Sequence, residues 1–207
     1  GRRPEDLVAV DLNGDGHQDL ATADAQSGQV QVMINDGSGI FPRARQALYP
    51  GGEAATWDEP VALDAAPIFA NAPDLVVADR VGRSLTILAN DGQGRFAGRR
   101  QELFIGHAVE DVHAADLDAD GDVDLAVADG DAPSITVLYN NGQGTFNVRN
   151  AYEVGSGPVA LSSANLDEDG HRDLVVANRG SVRSRFCATT GRAVFCRART
   201  TRWAPLQ

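Results

Sequence analysis

Short apolar runs alternate with polar, glycine-rich stretches along this chain, and the runs are too brief to be helices. Leu7, Val8, Ala9 and Val10 form one run, Leu20, Ala21, Thr22 and Ala23 a second, and from Val30 to Ile34 the β-branched Val30, Val32 and Ile34 recur at every second position. A period of two turns one face of a strand to a core and the other to water. The Asp36-Gly37 pair that follows is a hairpin signal, because glycine supplies the positive φ of a tight turn. Phe41 is read as opening a fourth strand. No convincing helical stretch interrupts these strands, so the pattern predicts an all-β chain.

The pattern also repeats. DLNGDGHQDL (11–20), DLDADGDVDL (116–125) and NLDEDGHRDL (165–174) are copies of one acidic loop, and DLVVAD (74–79) is the tail of a worn copy. Their anchoring aspartates, Asp19, Asp74, Asp124 and Asp173, are 55, 50 and 49 residues apart. A second marker keeps the same phase: NDGSGIF (35–41), NDGQGRF (90–96) and NNGQGTF (140–146) each end 22 residues after an anchor. Four short antiparallel strands per repeat of this length are the signature of β-propeller blades. The blades are expected at about 1–53, 54–107 and 108–156, with a partial one at 157–186, so that four repeats make an incomplete ring.

Each intact loop offers oxygen at alternate positions. In the first, Asp11, Asn13, Asp15 and Asp19 occupy positions 1, 3, 5 and 9, with Gly16 at position 6 and His17 at position 7. The third repeat has Asp116, Asp118, Asp120 and Asp124 with Gly121 and Asp122; the fourth has Asn165, Asp167, Asp169 and Asp173 with Gly170 and His171. Alternate oxygens around a sharp turn form a cage for a hard cation of calcium's size. Position 7 varies in type, which fits ligation by its backbone carbonyl. Without a cation such carboxylates repel by about 1 kcal/mol per pair at about 4 Å, even in water. Helical calcium loops are excluded, because they need a glutamate at position 12, where this chain has Thr22, Val127 and Val176. Magnesium would keep more of its water. The expected cofactor is Ca2+.

Together, the D-x-[DN]-x-D-G-x-x-D-L loop and the N-[DN]-G-x-G-x-F turn resemble the FG-GAP/VCBS repeats of bacterial surface proteins and of integrin α-subunit propellers. The resemblance covers residues 1–186. It implies blades of four strands with calcium held between the first and second, in rings of about seven blades. The second repeat departs from it. Positions 1, 3 and 5 are Ala66, Ile68 and Ala70 there, so that blade is expected to be intact and metal-free.

Composition narrows the function. The 207 residues carry 29 acidic and 18 basic side chains, every basic one arginine, for a net charge of −11. That balance disfavours nucleic acid and anionic membranes as partners, and no apolar run approaches the roughly 18 residues of a membrane span. The chain opens without Met or a signal peptide and enters a repeat at once, so it is expected to be cut from something longer. Secretion is expected on other grounds: loops of this kind bind calcium at about 10⁻⁴–10⁻³ M and fill only outside the cell. His17, His107, His113 and His171 fall in no catalytic motif, and the protein is expected not to be an enzyme. An extracellular adhesion or interaction scaffold with a protein or carbohydrate partner is the leading reading. The alternatives are a non-catalytic domain of a larger secreted polysaccharide-acting enzyme and, third, a catalytic propeller.

The tail departs from all this. After Asp173 there is no acid in 34 residues but seven arginines, with Cys187 and Cys196 nine apart. The repeat phase nevertheless persists, since Phe195 lies 22 residues after Asp173. Residues 187–207 are therefore read as a remnant of the fourth blade translated one base out of frame from about Gly180. In the neighbouring frame Thr189-Thr190-Gly191 can spell Asn-Asp-Gly. A stop in that frame of the coding DNA would end the idea.

Overall fold

The computed structural model describes residues 3–42, 46–49, 59–166, 168–180, 185–190 and 193–198, the last two stretches by their backbone pairing. The described residues form sixteen strands in four sheets of four and contain no helix, hence none long and apolar enough to cross a membrane. Blade one is β1 (Pro4–Val10), β2 (Asp19–Asp24), β3 (Gln29–Met33) and β4 (Gln46–Leu48). Blade two is β5 (Pro60–Ala66), β6 (Asp74–Asp79), β7 (Ser84–Leu88) and β8 (Arg100–Phe104). Blade three is β9 (Val109–Ala115), β10 (Asp124–Asp129), β11 (Ser134–Tyr139) and β12 (Val148–Glu153). Blade four is β13 (Pro158–Ala164), β14 (Asp173–Asn178), β15 (Arg185–Thr190) and β16 (Ala193–Ala198). Every sheet is an antiparallel meander in chain order, and the inner strands β1, β5, β9 and β13 pack side by side. The result is an incomplete β-propeller.

Two details refine the expectations. The turn phenylalanine precedes the fourth strand instead of opening it. A backbone bond from the second turn residue to the carbonyl four residues on (Asp36 to Ile40, Asp91 to Arg95, Asn141 to Thr145) closes the turn first, and Phe96 is left free to enter the core between blades one and two. In blade four, the segment read as a remnant supplies β15 and β16, with Cys187 opposite Cys196 in register.

The core lies between blades, because each sheet buries its faces only against its neighbours. Leu12, at position 2 of the first acidic loop, packs with Leu63, Leu75 and Phe96 of blade two and is 1% exposed; Leu117 packs with Leu174 and Val176 of blade four and is 2% exposed. Leu166, the same position in blade four, is 50% exposed. At the opposite end Leu7 is 56% exposed, whereas its register equivalents Leu63 and Val112 are buried. The two end faces of this chain are thus blade interfaces without a neighbouring blade among the described residues. A contact between one end and the other does not close, so it propagates. The 207-residue chain should self-associate with rising concentration in sedimentation velocity, and Leu166→Glu should weaken this. A sharp monomer at every concentration would refute it.

Candidate functional site

The anchoring aspartate organises each blade. Asp19 is buried, and its two carboxylate oxygens accept N–H bonds from Leu12 (2.9 Å) and Asn35 (2.8 Å). Asp124 does the same with Leu117 (3.0 Å) and Asn140 (2.9 Å), and Asp173 accepts from Leu166 (2.8 Å). The carboxylate therefore ties position 2 of the acidic loop to the hairpin turn 16 residues further on. Asp74 ties Ile68 (3.1 Å), Phe69 (2.8 Å) and Asn90 (2.8 Å) in the same way. This explains why blade two keeps its anchor after losing every other acid of the loop. Each oxygen has a second lone pair, so the bracing role leaves ligation open.

Above the anchor, loops one, three and four follow one backbone path. Position 4 is left-handed in each (Gly14, φ 76°; Ala119, φ 61°; Glu168, φ 64°), and so is position 6 (Gly16, Gly121 and Gly170, φ 87–93°). A left-handed non-glycine residue costs about 1–2 kcal/mol, so Ala119 and Glu168 are held there by the loop's bonds. In all three loops the N–H of position 7 donates to the carboxylate of position 5: His17 to Asp15 (2.9 Å), Asp122 to Asp120 (3.0 Å) and His171 to Asp169 (2.8 Å). The position-7 side chains of His17 and Asp122 lie over the turn glycines Gly37 and Gly142, where a Cβ would meet them within 3.0 Å.

Among the described residues, loop three gathers charge. Carboxylate oxygens of Asp116, Asp118 and Asp120 lie within 4.8 Å of one another. Asp116 accepts from the N–H of Gly121 (3.1 Å) through Oδ2, while its Oδ1 is buried with no hydrogen-bond partner. Burial pushes Asp124 up to about 7, with Asp118 and Asp120 adding to the rise against its two backbone donors. An orphaned buried oxygen among crowded carboxylates fits a hard cation. Loop one is quieter. Asp11 accepts N–H bonds from Gly14, Asp15 and Gly16, which hold its carboxyl below the usual range, and Asn13 donates to Asp15 (2.8 Å). In loop four Asn165, Asp169, His171 and Asp173 are placed, whereas Asp167 lies outside the described residues.

Blade two replaces charge with apolar packing. Ile68, at position 3, is buried in the core between blades two and three, and Phe69 sits against Gly144 of the blade-three turn. The Arg99 guanidinium lies 3.9 Å from the Phe69 ring centre.

Sequence reasoning overlooked two sets of polar residues. Asp79 and Asp129, five residues after their anchors, are buried at the far ends of β6 and β10; Asp79 accepts from Glu59 and Gly82 N–H groups and Asp129 from the hydroxyls of Ser134 and Thr136. The second set lies on the inner strands. Asp6 accepts from the N–H of Leu63 (2.8 Å), Asp64 from Ala114 (2.9 Å) and Asp111 from Leu161 (2.6 Å), each bond joining one blade to the next. His113 lies among them.

Four-stranded blades with an acidic first loop define a propeller repeat protein. The chain belongs to the FG-GAP-like repeat family, which matches residues 11–65, 71–127 and 116–176. No curated protein matches it. Among solved structures it is similar to one titled for specific recognition of non-reducing terminal N-acetylglucosamine by an Agrocybe aegerita lectin. That match has 20% identity and a TM-score of 0.64, and covers 92% of this chain and 50% of the other. It is also similar to BBS1N in complex with ARL6DN, soaked with lead, at 18% identity and a TM-score of 0.60, covering 97% and 56%. The chain thus spans about half the length of these proteins, and at such identities the likeness concerns the fold.

Proposed function

We propose that this chain is a calcium-binding FG-GAP repeat scaffold that works outside the cell, at the surface or secreted, and presents its loops to a partner. The supporting observation is loop three, where Asp116, Asp118 and Asp120 converge beside an orphaned buried oxygen. Asp116, Asp118, Asp120, Asp124 and the carbonyl of Asp122 would hold the ion. Bound calcium would neutralise the loop and stiffen the connection between the two inner strands of the blade. Extracellular placement rests on the weak affinity of such loops, which fill at millimolar calcium.

A carbohydrate partner has its own support. A cleft of about 380 Å³ opens beside loop three, lined by Asp118, Asp120, Tyr139, Asn141, Asn147 and Asn150 among others. Amides and carboxylates beside an aromatic ring suit sugar hydroxyls, and the similarity to the Agrocybe aegerita lectin favours the same class. A role as the non-catalytic domain of a secreted polysaccharide-acting enzyme would use the same cleft.

Calorimetric titration of the chain with calcium chloride tests the reading. Loop three, with the most ligand charge, should fill first, and Asp120→Ala should delete the tightest site while His17→Ala leaves the titration unchanged. No calcium uptake, or an unaltered titration in Asp120→Ala, would sink it.

A further inference from the structure

Asp64, His113 and Ser163 stand on three adjacent inner strands, β5, β9 and β13, at intervals of 49 and 50 residues, within one residue of a repeat each. The fold joins them into one chain of contacts. His113 Nδ1 lies 3.2 Å from Asp64 Oδ2, and His113 Nε2 lies 2.8 Å from Ser163 Oγ. Asp64 is fixed from behind by backbone donors, Ala65 N–H to Oδ1 (2.8 Å) and Ala114 N–H to Oδ2 (2.9 Å). A carboxylate only accepts, so the imidazole proton sits on Nδ1 and the Nε2 lone pair faces the serine hydroxyl. Arg172 Nη1 donates to the same Oγ at 3.4 Å. All three triad members are partly buried and stand on strands, which are firmer supports than loops.

We propose that Ser163 is a nucleophile toward carboxylic esters, with His113 as general base and Asp64 as the residue that positions the imidazole. Nucleophile, base and orienting acid in hydrogen-bonded sequence are what this chemistry requires, on any fold. The inner face also carries Asp6 and Asp111, so a neutral ester suits it better than an anionic one. Ser163 Oγ attacks the ester carbonyl carbon and its proton passes to His113 Nε2. The bond to the leaving alcohol breaks, and the alkoxide takes that proton. Water, deprotonated by His113, then attacks the acyl-serine; the carbon–Oγ bond breaks, Oγ regains the proton and the carboxylic acid leaves. Water is the only co-reactant.

The test uses the 207-residue chain with a fluorophosphonate probe and, separately, p-nitrophenyl acetate. The expected result is covalent labelling at Ser163 by peptide mass spectrometry, abolished in Ser163→Ala. Ester turnover should fall at least about 100-fold in Ser163→Ala and in His113→Gln. Asp64→Asn should lower kcat with little change in KM and alter the pH profile, which loss of a merely structural contact would not do. Ser163→Ala removes a single oxygen, and a far-UV melt establishes that each variant is folded. A folded wild-type chain that takes no label at Ser163, or turnover unchanged in Ser163→Ala, overturns the proposal.

Discussion

Asp74→Ala should destabilise the chain by about 3–5 kcal/mol, and by the same amount in calcium as in chelator. The substitution strips the acceptor from three backbone N–H groups, those of Ile68, Phe69 and Asn90, in a region where Ile68 and Asn90 are buried. Each orphaned buried donor costs about 1–3 kcal/mol, and part of the sum is recovered as the loop relaxes toward water. No ion takes part, because Ala66, Ile68 and Ala70 stand where ligands would be. Asp124→Ala is the informative contrast. It frees Leu117 and Asn140 and also removes a proposed ligand, so its penalty should grow when calcium is present. Urea denaturation of both variants in calcium and in chelator reads the difference. An Asp74→Ala penalty below about 1 kcal/mol, or one that tracks calcium, would show that the anchor is not a brace.

That contrast also marks where the sequence was legible and where it was not. Blade number, strand order and the three acidic loops follow from a period that two motifs share, because a repeated interval survives any local ambiguity. The anchor's second role does not follow, since a spacing of residues carries no information on which N–H a carboxylate meets after the chain turns back. The survival of Asp74 in a loop emptied of acids was the available hint. The turn phenylalanine, read in the first repeat as Phe41 opening a strand, precedes it for a related reason: a Gly-x-Phe sequence suits a strand start, and only the closing backbone bond, Asp91 to Arg95 in the second repeat, leaves Phe96 free to enter the core. Asp64 and His113 hold the same register position in successive blades and Ser163 lies one residue beyond it in the next; they differ in residue type, so motif reasoning passes over them. Chemistry assembled from non-identical residues of successive repeats becomes visible only when the side chains of neighbouring inner strands are seen to meet.

The inner strands yield the last expectation, an acid-side gain in stability that Asp111→Asn should remove. Burial pushes Asp111 up to about 6 from 3.8, with Asp6 adding to the rise and the Leu161 and Val112 N–H groups and His113 opposing it; Asp64 faces the same cluster from β5. A carboxyl whose pKa is higher folded than unfolded binds protons more readily in the folded state. Its favourable contribution is therefore complete below about pH 4 and is lost as pH rises through about 6. At neutral pH the buried charge then costs about 1–2 kcal/mol, after allowance for partial solvent screening. Asparagine keeps an acceptor for the Leu161 N–H and cannot ionise. The variant should be more stable than the parent by that amount at pH 7 and should match it near pH 4, with the divergence setting in between. Chemical denaturation in chelator at a series of pH values measures this without the acidic loops titrating against calcium. A variant less stable than the parent at pH 7, or a difference constant with pH, would mean that Asp111 stabilises the blade junction as an ion and that the contact with Leu161 outweighs its burial.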